Sequence, residues 1–134
     1  MLRTLRIRNL AVIEELVVQF GEGFHVLTGE TGAGKSILLD ALGLATGARA
    51  HGAVVRDGAD RAWIEAVFEP PPGSPAIGAL AERGLALEDG VLLVRREVAS
   101  EGGGRAFVND SPCTIGLLRT LFEGWIDILA QNRH

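Results

Sequence analysis

The chain has 134 residues, 47% of them apolar and 22% charged, the composition of one ordinary globular domain. Thirteen basic residues stand against 17 acidic ones, for a net charge of -4, so nothing drives the whole molecule toward polyanions and any nucleic-acid contact has to be local. A single cysteine, Cys113, excludes an internal disulfide and reads as a packing residue. The three histidines lack ligand spacing, and no apolar run has the length of a signal peptide or a membrane span, so a soluble intracellular protein is expected.

In chain order, Leu5 and Ile7 alternate with Arg6 and Arg8, the period of a strand with one buried and one wet face. Leu16, Val18 and Phe20 alternate in the same way with Val17 and Gln19. After the Gly21-Glu22-Gly23 turn, the apolar run 24–28 predicts a buried strand. A glycine-rich loop follows, and then Ile37, Leu38, Ala41, Leu42 and Ala45 mark one face of a helix that Gly47 would stop. The stretch from Ala48 to Arg61 has weak periodicity and reads as an exposed connection. Ile64, Ala66 and Phe68, alternating with Trp63, Glu65 and Val67, form another strand that Pro70-Pro71-Pro72 ends. Ser74 before Pro75 predicts a helix N-cap, with Gly84 at the C-terminal cap. Val91 to Val98 and Ala106 to Val108 read as a hairpin around Glu101–Gly104, Ile115, Leu118, Leu121 and Phe122 as a helical stripe, and 125–129 as a last short strand. Trp63 and Trp125 are expected in the core.

The chemistry is concentrated in Gly29-Glu30-Thr31-Gly32-Ala33-Gly34-Lys35-Ser36. Lys35 is the only lysine in the chain, and it sits inside this octet. A loop between a strand and a helix aims several backbone N–H groups at one point, and the first turn of the helix adds unpaired donors and a partial positive charge. Glycines at 29, 32 and 34 allow the backbone to approach an anion closely. Lys35 would reach the β- and γ-phosphates of ATP, and the Ser36 hydroxyl would ligate magnesium. Asp40 reads as a solvated or capping carboxylate.

Two segments carry a resemblance. Residues 5–13, Leu-Arg-Ile-Arg-Asn-Leu-Ala-Val-Ile, and 27–42, which contain the octet, resemble the amino terminus of the RecN family of bacterial DNA repair ATPases, relatives of the structural-maintenance-of-chromosomes (SMC) ATPases. Val55-Arg56-Asp57-Gly58, Gly104-Arg105-Ala106-Phe107-Val108-Asn109 and Asp127 through Gln131 match in the same order, so the resemblance covers essentially the whole chain. It implies an α/β P-loop NTPase fold, an ABC-ATPase-like head lobe with a mixed β-sheet and antiparallel hairpins around the P-loop helix. It also implies that Gln131 helps to hold magnesium and the attacking water, although Leu129-Ala130-Gln131-Asn132-Arg133-His134 departs from the family's His-Gly-Gln-His-Glu-His.

The Ser-Gly-Gly signature and the Asp-Glu strand of such ATPases are not found here. Residues 1–134 therefore read as the amino-terminal lobe of a split head, whose coiled coil and carboxy-terminal lobe are absent. Ser100-Glu101-Gly102-Gly103-Gly104 imitates the signature but lies between two strands and reads as a turn. The implied partners are the carboxy-terminal lobe, a second head in an ATP-sandwiched homodimer, and DNA, with no membrane. The implied location is the cytoplasm, at the nucleoid.

Arg3, Arg6 and Arg8 form a possible phosphate-binding strip but fit a solvated strand face better. Arg49 and Arg56 flank the loop after the first helix, where an arginine can reach nucleotide or DNA, although a plain surface role fits them better. Besides an ATPase, two further classes fit the octet: a nucleotide-gated DNA-tethering scaffold with incidental hydrolysis, and a P-loop kinase or GTPase, for which no guanine-recognition or lid segment is found.

Overall fold

The computed structural model describes residues 2–20 and 32–123. The predicted strands 24–28 and 125–129, Trp125, Asp127, Gln131 and the Gly29-Glu30-Thr31 part of the loop lie outside the described residues. Within them, the elements run β1 (Leu2–Leu10), β2 (Ile13–Gln19), α1 (Gly32–Ala45), β3 (Arg61–Phe68), α2 (Pro75–Ala81), β4 (Leu92–Ala99), β5 (Gly104–Val108), β6 (Ser111–Cys113) and α3 (Ile115–Leu121). The strands form one sheet in the order β2-β1-β3-β4-β5-β6, and each of these pairings is antiparallel.

Period-two patterning assigns the two faces of the sheet. Leu5 and Ile7 of β1, Ala62, Ile64, Ala66 and Phe68 of β3, Leu92, Val94 and Val98 of β4, and Ala106 and Val108 of β5 are all buried. They join Leu38, Ala41, Leu42, Leu44 and Ala45 of α1 in one core. Helix α1 lies against β3 and β4, and α2 packs on α3. The Phe68 and Phe122 rings meet at 4.6 Å between centroids, an inclined contact that adds to their burial.

Helix ends follow local chemistry. Thr114 caps α3 by accepting a hydrogen bond from Leu117 N at 3.0 Å. Ser74 occupies the N-cap position of α2, with Pro75 next as expected, but its side chain makes no capping bond. The Ile77 N–H that a capping hydroxyl would take is donated to the backbone carbonyl of Ser74 at 3.1 Å, and the Ser74 Oγ is buried with no hydrogen-bond partner among the described residues. At the far end, Gly84 N donates to Ala81 O and Leu85 N to Leu80 O, the paired bonds of a glycine-terminated helix.

Three sequence expectations change. Trp63 is half-buried on the outward face of β3, in phase with Arg61 and Glu65 and beneath Arg8, whose guanidinium lies 5.6 Å from the ring centroid. The core phase of that strand belongs to Ala62, Ile64, Ala66 and Phe68, and a strand cannot put both phases inside. The connection after α1 is pinned and not simply exposed. Ala11 N donates to Val54 O at 2.7 Å, Arg56 N donates to Asn9 O at 2.8 Å, and Val55 is buried where it bridges to Leu10. Finally, β6 was not expected. It pairs with β5 across Asn109-Asp110, whose φ angles of 47° and 68° make the two-residue turn of a tight hairpin. Asn109 Oδ1 also accepts from Leu93 N, and its Nδ2 donates to Ala86 O, both at 2.8 Å.

Cys113, on β6, packs partly buried against the core, as expected of a packing residue. Burial pushes its thiol above the ordinary range. Below about pH 8.5 both folded and unfolded chains keep the proton and nothing is contributed. At higher pH the unfolded chain ionises first, so stability falls as pH rises toward the folded value. Urea midpoints between pH 8 and 10 are expected to decline less steeply in Cys113→Ser than in the parent chain.

Candidate nucleotide-binding site

Helix α1 begins at Gly32, so the Gly32-Ala33-Gly34-Lys35-Ser36 half of the octet is its opening turn. Backbone N–H groups there have no partner within the helix and point out of its positive end. Ser36 is exposed, and so is Asp40, one turn on. The apolar stripe that follows, Leu38, Ala41, Leu42 and Ala45, is buried on the sheet and fixes which flank of the helix faces out.

Beside α1 runs a cleft of about 650 Å³, lined by Ile37, Leu39, Asp40 and Leu42 of the helix, Leu10 at the end of β1, Ala11 after it, Val54 and Arg49. The structure brings Arg49, but not Arg56, to this cleft. The pinned segment after α1 forms its opposite wall.

The other end of α1 is held by Gly47 and by Thr46, Arg96 and Arg119, which the sequence reading did not single out. Ala48 N donates to Gly43 O at 2.9 Å and Gly47 N to Leu44 O at 3.3 Å, with Gly47 at φ 108° as the expected stop. The Thr46 hydroxyl donates to Leu42 O at 2.9 Å. Arg96 of β4 donates from Nη1 to Leu44 O at 2.7 Å and to Ala48 O, and Arg119 of α3 donates from Nε to Gly47 O at 3.0 Å. One signal was available: Arg96 shares the inward phase of Leu92, Val94 and Val98.

Arg3, Arg6 and Arg8 stand on the opposite face of the sheet from the core. Arg3 pairs with Glu69 at 2.8 Å, and Arg8 approaches Glu15 at 3.9 Å. Registers set Arg6 beside Glu65 and Glu65 beside Arg95, then Glu97 beside Arg105. Alternating signs across neighbouring strands make a solvated, internally matched face and not a strip of one charge. Ser100 to Gly103 is the turn between β4 and β5, closed by Gly102 N to Ala99 O at 2.9 Å, so the signature-like string is a hairpin turn here.

Residues 4–68 match the family model described as an AAA domain. Over 134 residues, all of this chain, the sequence is 42% identical to DNA repair protein RecN of Halalkalibacterium halodurans. By sequence, the chain resembles RecN proteins over its whole length. It is also 42% identical over 132 residues to RecN of Bacillus subtilis, and 41% identical over 129 residues to RecN of Streptomyces coelicolor. The chain spans about a quarter of the length of those relatives, 24%, 23% and 22% respectively.

Its fold is that of SMC and RecF ATPase heads. An SMC ATPase studied for ATP-driven dimerization and DNA-stimulated activation superposes with a TM-score of 0.69 at 19% identity, covering 90% of this chain and 76% of that one. The SMC head domain from Thermotoga maritima gives 0.56 at 20%, covering 88% and 40%. The recombination mediator protein RecF-ATP gives 0.58 at 15%, covering 84% and 27%. The resemblance to RecN proteins therefore rests on sequence, and these structures add the architecture.

Proposed function

We propose that this chain is the ATP-binding, amino-terminal lobe of a RecN-like ATPase that acts in DNA double-strand-break repair and recombination. The observation that carries the reading is the octet Gly29–Ser36 running into the start of α1, in a chain 42% identical to RecN proteins. A helix opening with free N–H donors and an exposed serine fits a magnesium-bound triphosphate. In this reading the backbone of Gly29 through Gly34 cradles the phosphates, Lys35 draws the β- and γ-phosphate oxygens, and Ser36 and Gln131 hold the metal side. Magnesium, when bound, supplies charge neutralisation across the phosphates.

The carboxy-terminal lobe supplies the signature and the acidic strand, two heads close on ATP as a homodimer, and DNA is engaged by the complete cytoplasmic, nucleoid-associated protein. The lobe by itself binds ATP and turns it over poorly. Adding back the carboxy-terminal segment tests this reading: ATP-dependent dimers whose repair function is lost with non-hydrolysable nucleotide are expected. Full function with that nucleotide would instead mark a nucleotide-gated tether, and tighter binding of GTP than of ATP would overturn the assignment.

A further inference from the structure

Arg96 is 5% exposed in the inward phase of β4. An arginine there is stripped of water, which pushes its pKa below the ordinary range, and the nearby charge of Arg119 pushes it the same way. Among the described residues no carboxylate lies within ion-pair distance of Arg96. Its partners are instead Leu44 O and Ala48 O, while Arg119 holds Gly47 O. Two cations, one from the sheet and one from α3, thus converge on the negative end of a single helix.

Closing that helix does not require them. The backbone bonds at Gly47 and Ala48 and the Thr46 hydroxyl already satisfy Leu42, Gly43 and Leu44 carbonyls. Nor is the arrangement an economical source of stability, since a buried charge without a counter-ion loses hydration and its like-charged neighbour repels it. What the two arginines add is direction. The contact of α1 with the sheet is built of Ala41, Leu42, Leu44 and Ala45, and apolar burial resists separation but is not directional. Hydrogen bonds from Arg96 Nη1 and Arg119 Nε are directional and define where the helix stops along its own axis.

From this geometry we infer that Arg96 and Arg119 are positioning residues, a clamp on the C-terminal end of α1 that holds its opening turn in register for a nucleotide triphosphate. The inference rests on the proposed nucleotide site at the other end of the same helix. A rigid helix transmits a shift at one end to the other, and a displacement on the order of 1 Å at a phosphate site is enough to lower binding severalfold or more.

The test uses the full-length protein carrying Arg96→Met, Arg96→Lys or Arg119→Met, with thermal midpoints, MgATP affinities and hydrogen exchange of the α1 amides. Arg96→Met replaces a buried ion with an apolar chain, a change that is often neutral for stability. It is expected to keep its midpoint within a few degrees while losing about tenfold in MgATP affinity, and Arg96→Lys is expected to recover part of that loss. Unchanged affinity in folded Arg96→Met, or losses in both Arg96 variants that only track their unfolded fractions, would overturn the clamp. If Arg96→Met does not fold, Arg119→Met must show the same split between affinity and stability, and parental affinity there overturns it. The nucleotide reading stands or falls separately, on the parent protein against Lys35→Ala. If the parent binds no MgATP, the clamp is judged by exchange without nucleotide. Faster exchange in α1 than in β3 and β4 of the variants supports it, and unchanged exchange sinks it.

Discussion

Lys35→Ala is expected to weaken MgATP binding by about 100-fold, which corresponds to about 2.7 kcal/mol. The ammonium of Lys35 would be the one side-chain cation of the octet, placed at the fourth position of α1. In the proposed site its contacts with β- and γ-phosphate oxygens would be charge-assisted and partly withdrawn from water, the class of contact whose truncation costs about 2 to 5 kcal/mol. Backbone donors and magnesium survive the substitution, which is why weak binding remains. Calorimetric titration with a non-hydrolysable ATP analogue measures the effect, with circular dichroism confirming that the variant is folded. Equal affinities for parent and variant would remove the octet from the nucleotide site and, with it, the proposed function.

Gly104→Ala is expected to cost about 4 kcal/mol in stability, near the top of the range for single substitutions. Gly104 opens β5 and pairs with Val98. A Cβ built there would stand 1.9 Å from Glu97 O and 2.9 Å from its carbonyl carbon, both backbone atoms of β4 that cannot move without breaking the β4–β5 register. Arg96, one residue before Glu97, would be displaced with it, so the loss reaches the end of α1. The thermal midpoint should fall on the order of 15 °C. Gly58→Ala is the control: φ is 89° but no atom lies within 4 Å of the added Cβ, and backbone strain by itself costs about 1 kcal/mol. Comparable midpoints for the two variants would show that the close approach at Gly104 is not real.

Much of the sheet was legible because alternation encodes a strand's two faces directly. Leu5 and Ile7, Ile64 through Phe68, and Ala106 with Val108 needed only a period of two, and the stripe on α1 only a period of 3.6. Elements whose placement depends on partners were not legible. β6 is three residues long and has no period to read, yet the Asn109-Asp110 turn that folds it back carries residues suited to positive φ. Val55 is buried and Ala50, Val54 and Ala59 pack partly against the core, but their spacing fits neither a strand nor a helix period, so no pattern marks the connection. Ser74 occupies its position but makes no capping bond, because a competing backbone bond takes the donor.

The proposed phosphate site was legible without any tertiary contact: the octet contains the only lysine of the chain and runs into the start of an amphipathic helix, and spacing along the backbone selects which donors can converge. What holds that helix in place is set by packing between distant segments. Arg96 lies 52 residues from Leu44 and 48 from Ala48, and Arg119 lies 72 from Gly47. Contacts at such separations arise from how strands and helices stack, and local patterning carries no record of them. The same holds for Arg3, Arg6 and Arg8, a plausible basic strip when read along one strand. Pairing with β2 and β3 sets Glu15 and Glu65 beside Arg8 and Arg6, while Glu69 meets Arg3, so neighbouring carboxylates match those charges across the sheet.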